Sequence, residues 1–248
     1  MNGAQLPLAM RWPQQQRFDS YLVGENDVTL DALRRAAVGA GTDWVFLSGP
    51  TASGKTHLLI AACADANAHA RRAQYVSLRA ASTASRAATA DGTRAIRALG
   101  GSDLLAIDDV DAIAGQREAE HALFDLYNRC KTEGATLVLA ATLPPAQIGL
   151  VLPDLVSRLS ICVQAALKPL DDARRREVVR ARAEARGLIL DDAALDWLFI
   201  HTQRDLASLA DLVDRLDRAS LAAQRRITLP FLREFILNES VGGGSGNG

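Results

Sequence analysis

The sequence predicts an α/β protein in which a parallel five-stranded sheet lies between helices and a small all-helical domain follows. Short apolar runs alternate with longer amphipathic stretches through the first two thirds of the chain, which is typical of parallel strands joined by helices. After Lys168-Pro169-Leu170 the strand signals stop and only helical spacing continues. Two domains of different architecture are therefore expected.

The strand candidates are short and rich in aliphatic residues, and they comprise Trp44–Leu47, Gln74–Leu78, Leu104–Ile107, Leu137–Ala141 and Ser160–Val163. Helical spacing fits Thr29–Val38, Thr56–Ala70, Arg117–Glu133 and Leu152–Leu159, and then Asp171–Arg186, Asp191–His201 and Arg204–Arg225. We predict an extended arm at 1–17, an α/β domain at 18–168, a helical lid domain at 169–238 and a flexible Gly-rich tail at 239–248.

Composition narrows the class of protein. With 248 residues, 48% of them apolar, the chain can bury the core of one main domain and a smaller one. A formal net charge of −1 provides no overall field for tracking a phosphate backbone, so we expect any contact with DNA to be indirect. The sequence has neither a membrane-length apolar run nor a signal-peptide pattern, which predicts a cytoplasmic protein. Cys63, Cys130 and Cys162 stand singly in apolar patterns and predict buried thiols.

A phosphate-binding motif follows the first strand candidate. Residues 49–56 match GxxxxGK[ST] and open a helix, which is the context that the motif requires. The glycines let backbone N–H groups turn toward phosphates, Lys55 is expected to reach the β- and γ-phosphates, and Thr56 is expected to bind Mg²⁺. The predicted contacts with ADP or ATP are Gly49, Pro50, Thr51, Ala52, Ser53, Gly54, Lys55, Thr56 and His57. The alternative is an ordinary Gly-rich turn between a strand and a helix.

Two carboxylates end the apolar run Leu104–Ile107, about fifty residues beyond the phosphate loop. At the end of a strand that neighbours such a loop, Asp108 is expected to bind Mg²⁺ and Asp109 to orient a water molecule. The alternative for both residues is to cap the turn that follows. The sequence therefore predicts a P-loop nucleotide-binding fold.

Five motifs, in the same order, resemble the ATPase core of the bacterial replication initiator DnaA, an AAA+ protein. They are Phe18–Asn26, the phosphate loop continued by His57-Leu58, Ile107–Gly115, Phe124–Asn128 and Leu155–Leu159. The resemblance covers residues 18 to 237. It implies an AAA+ ATPase domain with a helical lid, and a homo-oligomer is expected because AAA+ subunits commonly meet edge to edge.

Two departures from the initiator pattern affect the expected function. The initiator carries a C-terminal helix-turn-helix domain, whereas this sequence ends soon after Leu237, so we do not expect it to read origin DNA in that way. Residues 79–102 replace the initiator's single-stranded-DNA segment with an Ala-, Ser- and Thr-rich stretch that has no aromatic residue for base stacking. Origin melting is therefore not expected.

The N-terminal peptide resembles the QLxLxL sequence by which replication factors bind the sliding clamp, the β subunit of the polymerase. Here Gln5, Leu6, Leu8 and Met10 supply the glutamine and the alternating apolar side chains. An ordinary disordered N-terminus is the alternative. Together with the ATPase core, this peptide implies a clamp-tethered regulator that docks on ATP-bound DnaA, stimulates hydrolysis of its ATP and represses re-initiation, meeting DNA only through the clamp.

The same resemblance assigns three further roles. It places Arg158 at the arginine-finger position, acting in trans on the initiator's nucleotide, and Arg204 at the second sensor, which contacts the chain's own nucleotide. Thr142 stands at the first sensor, where the initiator pattern has an aspartate, so self-hydrolysis is expected to be slow. The alternatives are a surface arginine for Arg158 and a helix-start salt bridge for Arg204.

Two other functions remain open at the sequence level. One is an independent P-loop kinase or ATPase, which the helical second domain disfavours. The other is a DNA-remodelling initiator paralogue or loader that assembles on single strands, which would bind naked DNA tightly and in a salt-dependent manner.

Overall fold

The computed structural model describes residues 12–13, 16–21, 23–41, 43–83, 88–201, 206–223 and 229–242. The chain divides between Pro169 and Leu170 into two compact units. Among the predicted functional residues, Gln5, Leu6, Leu8, Met10 and Arg204 lie outside the described part.

The first unit is built on a five-stranded sheet in the order β2-β3-β4-β1-β5. Its strands are β1 (Val45–Ser48), β2 (Ala73–Ser77), β3 (Leu104–Asp108), β4 (Thr136–Ala141) and β5 (Val163–Ala166). Every pairing is parallel, so the carboxyl ends of all the strands meet at one edge of the sheet. The predicted fold class, a parallel five-stranded sheet between helices, is confirmed.

In the described part of this unit, six α-helices accompany the sheet: α1 (Asp27–Val38), α2 (Lys55–Ala68), α3 (Leu78–Thr83), α4 (Ala88–Ala98), α5 (Arg117–Glu133) and α6 (Pro153–Ile161). The predicted strand Ser160–Val163 is wrong in position, because residues 160 and 161 end α6 and β5 begins at Val163. The edge strand β5 is exposed at three of its four residues, so it lacks a continuous apolar run. The helices α3 and α4 occupy the Ala-rich stretch for which no element was predicted.

The strands of the sheet are buried on both faces. Successive side chains of β1 point to opposite sides: Val45 and Leu47 pack with α1 and α2, whereas Phe46 packs with Leu123 of α5 and Leu155 of α6. Two apolar layers therefore sandwich the sheet, which explains why its central strands read as unbroken aliphatic runs.

The second unit is all-helical, with α7 (Asp172–Glu184), α8 (Asp192–His201), α9 (Leu206–Ala223) and α10 (Leu229–Gly242). The Asp171 side chain caps α7 by accepting from the Arg174 N–H at 2.8 Å. Leu195, Leu216 and Leu232 are completely buried in this unit's own core. Helix α10 continues to Gly242, past residue 239, where the sequence predicted the tail to begin.

Arg71 joins three elements of the first unit. Its guanidinium donates to the carbonyls of Ala36 and Ala37 at the end of α1, at 2.8 and 2.6 Å. It also donates to the Asp103 carbonyl before β3 at 2.9 Å and to the Thr136 hydroxyl at the start of β4 at 3.0 Å. One side chain thus aligns the amino ends of two strands with α1.

We expect Arg71→Ala to lower the free energy of unfolding by about 2–4 kcal/mol, because it leaves several carbonyls without a donor. The neighbouring Arg72 is a matched control: its ion pair with Asp103 is largely exposed, so Arg72→Ala should cost less than about 1 kcal/mol. Denaturant unfolding of both variants tests this prediction. Equal losses of unfolding free energy in the two variants would show that the Arg71 hydrogen bonds do not hold α1, β3 and β4 together.

Candidate functional site

The predicted phosphate loop connects the carboxyl end of β1 to the first turn of α2. A Cβ atom on Gly49 would lie 2.9 Å from the Ser53 hydroxyl oxygen, and Gly54 has φ +93° with the Tyr21 ring 2.7 Å from the place of its Cβ. Ala52 is also left-handed, at φ +62°. The backbone of this loop thus adopts tight, left-handed conformations that are unfavourable for most residues. Such conformations are typical of a loop that surrounds a ligand with its own N–H groups.

Lys55 is the first residue of α2 and is only 8% exposed. Its ammonium donates to the carbonyls of Gly49 at 2.7 Å and Pro50 at 2.8 Å, so it lies within the loop. Burial lowers the pKa of Lys55, and the carboxylates of Asp108, Asp111 and Asp109 oppose that shift. An anion would compensate the cost of this buried cation.

Two further features of the loop fit a phosphate group. The Ser53 hydroxyl is buried and has no hydrogen-bond partner, whereas Pro50 and Thr51 are exposed. The residue before α2 is Gly54, so no side chain caps the first N–H groups of the helix. These donors, together with the positive end of the helix dipole, form a site for phosphate oxygens.

Thr56 and Asp108 meet directly, although they lie 52 residues apart. The Thr56 hydroxyl donates to Asp108 Oδ2 at 2.6 Å, and the Tyr75 hydroxyl donates to the same oxygen at 3.2 Å. Burial raises the pKa of Asp108, and the neighbouring Asp109 raises it further, while the bonds from Thr56 and Tyr75 lower it. The structure therefore brings together the two residues predicted to bind Mg²⁺.

The oxygen ligands of this pair suit Mg²⁺, but two residues alone do not form a cage for it. Within the described ranges, no group of three or more His, Cys, Asp or Glu side chains could hold a metal ion. Mg²⁺ in P-loop sites takes most of its ligands from phosphates and water, so Thr56 and Asp108 fit a cation that arrives with a nucleotide.

Asp109 is engaged with side chains from β2 and α3. It has φ +57°, and its carboxylate accepts from the Ser77 hydroxyl at 2.8 Å and from Arg79 Nε at 3.3 Å. Arg79 also donates to Asp111 at 2.9 Å. The Asp109 side chain does not cap the 3₁₀ turn that follows it. Its expected role in orienting a water molecule remains a prediction.

Sequence reasoning missed Tyr75, Ser77, Arg79 and Asp111, all of which lie around the two carboxylates. Asp111 accepts from the backbone N–H of Thr142 at 3.2 Å, which links the first-sensor position at the end of β4 to this network. One sequence signal could have indicated Ser77: this residue ends β2, and the carboxyl ends of parallel strands converge at one edge of the sheet. The pairing of Arg79 with Asp109 has no such signal.

His57 is directed toward the N-terminal segment. Its Nε2 lies 2.9 Å from the Arg17 carbonyl oxygen, and its ring meets the Tyr21 ring edge-on at 5.5 Å between centroids. The contacts of His57 therefore fasten the start of the unit to α2, and its predicted contact with nucleotide remains a prediction.

Arg158 lies on α6, and its guanidinium carbon stands 6.0 Å from the centroid of the Tyr127 ring. Tyr127 is buried and packs edge-on against Trp44 with ring centroids 4.5 Å apart. Within the part of the chain that the structure describes, no carboxylate lies within 4.0 Å of the Arg158 guanidinium. The half-buried Arg158 guanidinium thus lies over the face of the Tyr127 ring, in the arrangement of a cation–π contact.

The sheet order, the loop after β1 and the acidic pair at the end of β3 define a P-loop protein of the AAA+ class, with an all-helical second unit. Residues 13–166, more than half of the chain, match the model of the bacterial DnaA ATPase domain. Residues 172–236 match the model of the Hda lid domain. The chain therefore belongs to the bacterial DnaA ATPase family, and its lid makes it an Hda-type member.

Solved structures show the same fold at low sequence identity. Domain III of DnaA from Thermotoga maritima has a TM-score of 0.73 at 19% identity, covering 90% of this chain and 95% of that one. AMPPCP-bound DnaA from Aquifex aeolicus has a TM-score of 0.65 at 21% identity, covering 83% of this chain and 66% of that one. A RuvB variant from Thermotoga maritima has a TM-score of 0.62 at 17% identity, covering 90% of this chain and 71% of that one. The DnaA bound to AMPPCP and single-stranded DNA has a TM-score of 0.66 at 22% identity; 83% of this chain is covered, and it spans 65% of that one.

We expect Lys55→Ala to weaken the binding of ADP by at least about tenfold, because a charge-assisted hydrogen bond to phosphate is lost. Lys131→Ala, which removes an exposed lysine from the last turn of α5, is the control and should leave the affinity unchanged. Titration calorimetry with ADP and Mg²⁺ measures both. An unchanged affinity in Lys55→Ala would mean that nucleotide does not bind in this loop.

Proposed function

We propose that this chain is a regulatory inactivator of the replication initiator DnaA. It binds ADP or ATP with Mg²⁺ in its phosphate loop, is tethered to the sliding clamp by its N-terminal peptide, and stimulates hydrolysis of DnaA-bound ATP, which represses re-initiation. The observation that carries the proposal is the position of Arg158: half-buried on Tyr127, without a carboxylate partner among the described residues. Family membership and the Hda-type lid support it.

A guanidinium in this setting suits phosphoryl transfer in a second molecule. Negative charge spreads over the oxygens of the transferring γ-phosphoryl group, and an arginine supplied by a neighbour stabilises that charge. The planar fork of arginine can donate to two oxygens at once. Because the Tyr127 ring limits the freedom of Arg158 without neutralising it, little ordering is needed when the initiator's nucleotide approaches.

Weak hydrolysis of the chain's own nucleotide is part of the proposal. The Asp109 carboxylate is occupied by Ser77 and Arg79, which disfavours its use in orienting a water molecule. Thr142 offers a hydroxyl at the first-sensor position, and its backbone is tied to Asp111. In the proposed function, the chain acts mainly through its partner's ATPase, with its own nucleotide as a structural ligand. Arg204, which lies outside the described residues, is proposed as the second sensor of that nucleotide.

The N-terminal peptide leaves from an anchored point of the first unit. Trp12 is 9% exposed and packs in the same core as Phe18, and the Arg17 guanidinium donates to the carbonyls of Trp12 and Pro13 at 3.1 and 2.6 Å. A clamp peptide that ends at Met10 would therefore hold the ATPase unit close to the clamp. Because the chain has a net charge of −1, we propose that it meets DNA only through the clamp. We further propose that it acts in the cytoplasm, at the replisome, and that it forms homo-oligomers.

No helix in the described ranges is long and apolar enough to cross a bilayer.

We expect Arg158→Ala to lower the stimulated hydrolysis of DnaA-bound ATP by about 10³-fold or more, because loss of a finger removes transition-state stabilisation. The assay measures phosphate release from ATP-loaded DnaA with clamp-loaded DNA, and Arg117→Ala, an exposed arginine of α5, serves as the control. ADP affinity and clamp binding should not change. Full stimulation by Arg158→Ala, together with rapid turnover of the chain's own ATP, would indicate an independent ATPase.

The variant Gln5→Ala with Leu8→Ala should lose clamp binding, because a glutamine and an apolar anchor of the peptide are removed together. Gln16→Ala, outside the peptide, should bind normally, and the thermal midpoint should be the same in all three proteins. Surface plasmon resonance on immobilised clamp gives the measurement. Tight and salt-dependent binding of naked single-stranded DNA without the clamp would instead favour a loader-type protein.

A further inference from the structure

Glu120 is a completely buried carboxylate that lies outside the phosphate loop and the two carboxylates at the end of β3. It lies on α5 and is 0% exposed. A buried carboxylate is costly unless it is fully hydrogen-bonded, so a residue of this kind at this depth needs a structural reason.

Among the described residues, the hydrogen-bond partners of Glu120 are backbone N–H groups from two separate loops. Its Oε1 accepts from Gly115 at 2.8 Å, its Oε2 accepts from Leu152 at 2.8 Å, and Val151 donates to both oxygens at 3.1 and 2.9 Å. No cation lies within 4.0 Å of it among the described side chains. The charge is stabilised by the peptide N–H groups of the loops that it joins.

One of these loops begins the helix that carries Arg158. Leu152 is the N-cap residue of α6 and Pro153 is its first residue, so the carboxylate lies at the positive end of that helix. The side chain of Leu152 cannot cap α6, and Glu120 supplies the acceptor from outside. The start of the helix is thereby fixed to α5.

The other loop descends from the nucleotide site. Gly115 follows the 3₁₀ turn Val110–Ile113, which begins directly after Asp108 and Asp109. Hydrogen bonds from Ala112 to the Asp109 carbonyl at 2.8 Å and from Gln116 to the Ile113 carbonyl at 3.0 Å keep this connection short. Glu120 therefore touches the segment that leaves the metal-binding carboxylate and the segment that enters α6.

The same face of α5 also supports Arg158 itself. Tyr127 lies seven residues, or two helical turns, beyond Glu120, and its ring lies beneath the Arg158 guanidinium. Glu120 thus holds the first residues of α6 while Tyr127 contacts the side chain that projects from its last turn.

We propose that Glu120 is a positioning residue for the arginine finger: its carboxylate locks the start of α6 to α5 and to the loop after Asp109, and so sets where Arg158 stands. The proposal rests on the proposed function, because it gives Glu120 a part in the partner's ATP hydrolysis. Glutamine cannot replace it, because an amide has one acceptor oxygen and would turn its own N–H groups toward backbone donors.

The first test uses full-length protein with ADP, clamp-loaded DNA and ATP-bound DnaA. In Glu120→Gln the maximal rate of DnaA-bound ATP hydrolysis should fall about 10- to 100-fold, as expected for a displaced catalytic group. The concentration of this chain that gives half of that rate should change less than about twofold, because the contacts that bind DnaA before hydrolysis are kept. Glu118→Gln, the same change at an exposed position of α5, should match wild type, and Glu120→Asp should recover part of the rate.

A second measurement does not depend on the proposed function. Hydrogen exchange of the α6 amides should be at least about tenfold faster in Glu120→Gln than in wild type, while exchange in α2 is unchanged. In wild type, the amides of Val151 and Leu152 should exchange slowly despite the exposure of the Val151 side chain.

The outcomes separate the two proposals. If Arg158→Ala in the same assay stimulates like wild type, the proposed function fails, and the exchange rates still decide whether Glu120 holds α6. If Arg158→Ala is inactive but Glu120→Gln keeps both the rate and the slow exchange, the role of Glu120 is overturned. If Glu120→Gln does not fold, fast exchange of the Val151 and Leu152 amides in wild type, or full activity of a folded Glu120→Ala, would overturn it.

Discussion

The hydrogen bond from Thr56 to Asp108 is the interaction on which the nucleotide site depends. Thr56 lies beyond the loop that follows β1, whereas Asp108 ends β3, and β4 lies between these two strands. They meet because a parallel sheet delivers all its carboxyl ends to one edge and because the phosphate loop curls over that edge. The buried Lys55, the capless start of α2 and the raised pKa of Asp108 all follow from closing this small polar site against an apolar sheet.

The charged groups near this edge of the sheet have different hydrogen-bond partners. Asp108 faces the phosphate loop, whereas Asp109 is turned toward Ser77 and Arg79, so two adjacent carboxylates have different partners. Arg158 stands on another element, and among the described residues its guanidinium has an aromatic ring beneath it and no carboxylate partner. This arrangement suits a protein that keeps its own nucleotide and offers its cation to another molecule. Helix α5 connects the two regions through Glu120 and Tyr127.

Much of the fold was predictable from local pattern. The bounds of α5 were predicted residue for residue, because Gly134 in left-handed conformation ends an amphipathic run, and the buried strands β1, β3 and β4 read as aliphatic runs. The exposed edge strand β5 carries no such pattern. The phosphate loop and Asp108 were predictable because their chemistry needs contiguous residues. The contacts of Glu120 with Leu152, of Asp109 with Arg79 and of Asp111 with Thr142 were not, since each joins segments about thirty residues apart that only the tertiary fold brings together.

The identity of the hydrolysed nucleotide distinguishes an arginine that acts on DnaA from an independent ATPase. This chain would be loaded with ATP carrying one radioactive isotope in the γ-phosphate, and DnaA with ATP carrying another, and both releases would be followed in a single turnover on clamp-loaded DNA. If Arg158 acts on the initiator's nucleotide, the label on DnaA is released quickly and only when this chain is present, while the chain's own label is retained. Release of the chain's own label, with the label on DnaA unaffected, would contradict that role of Arg158.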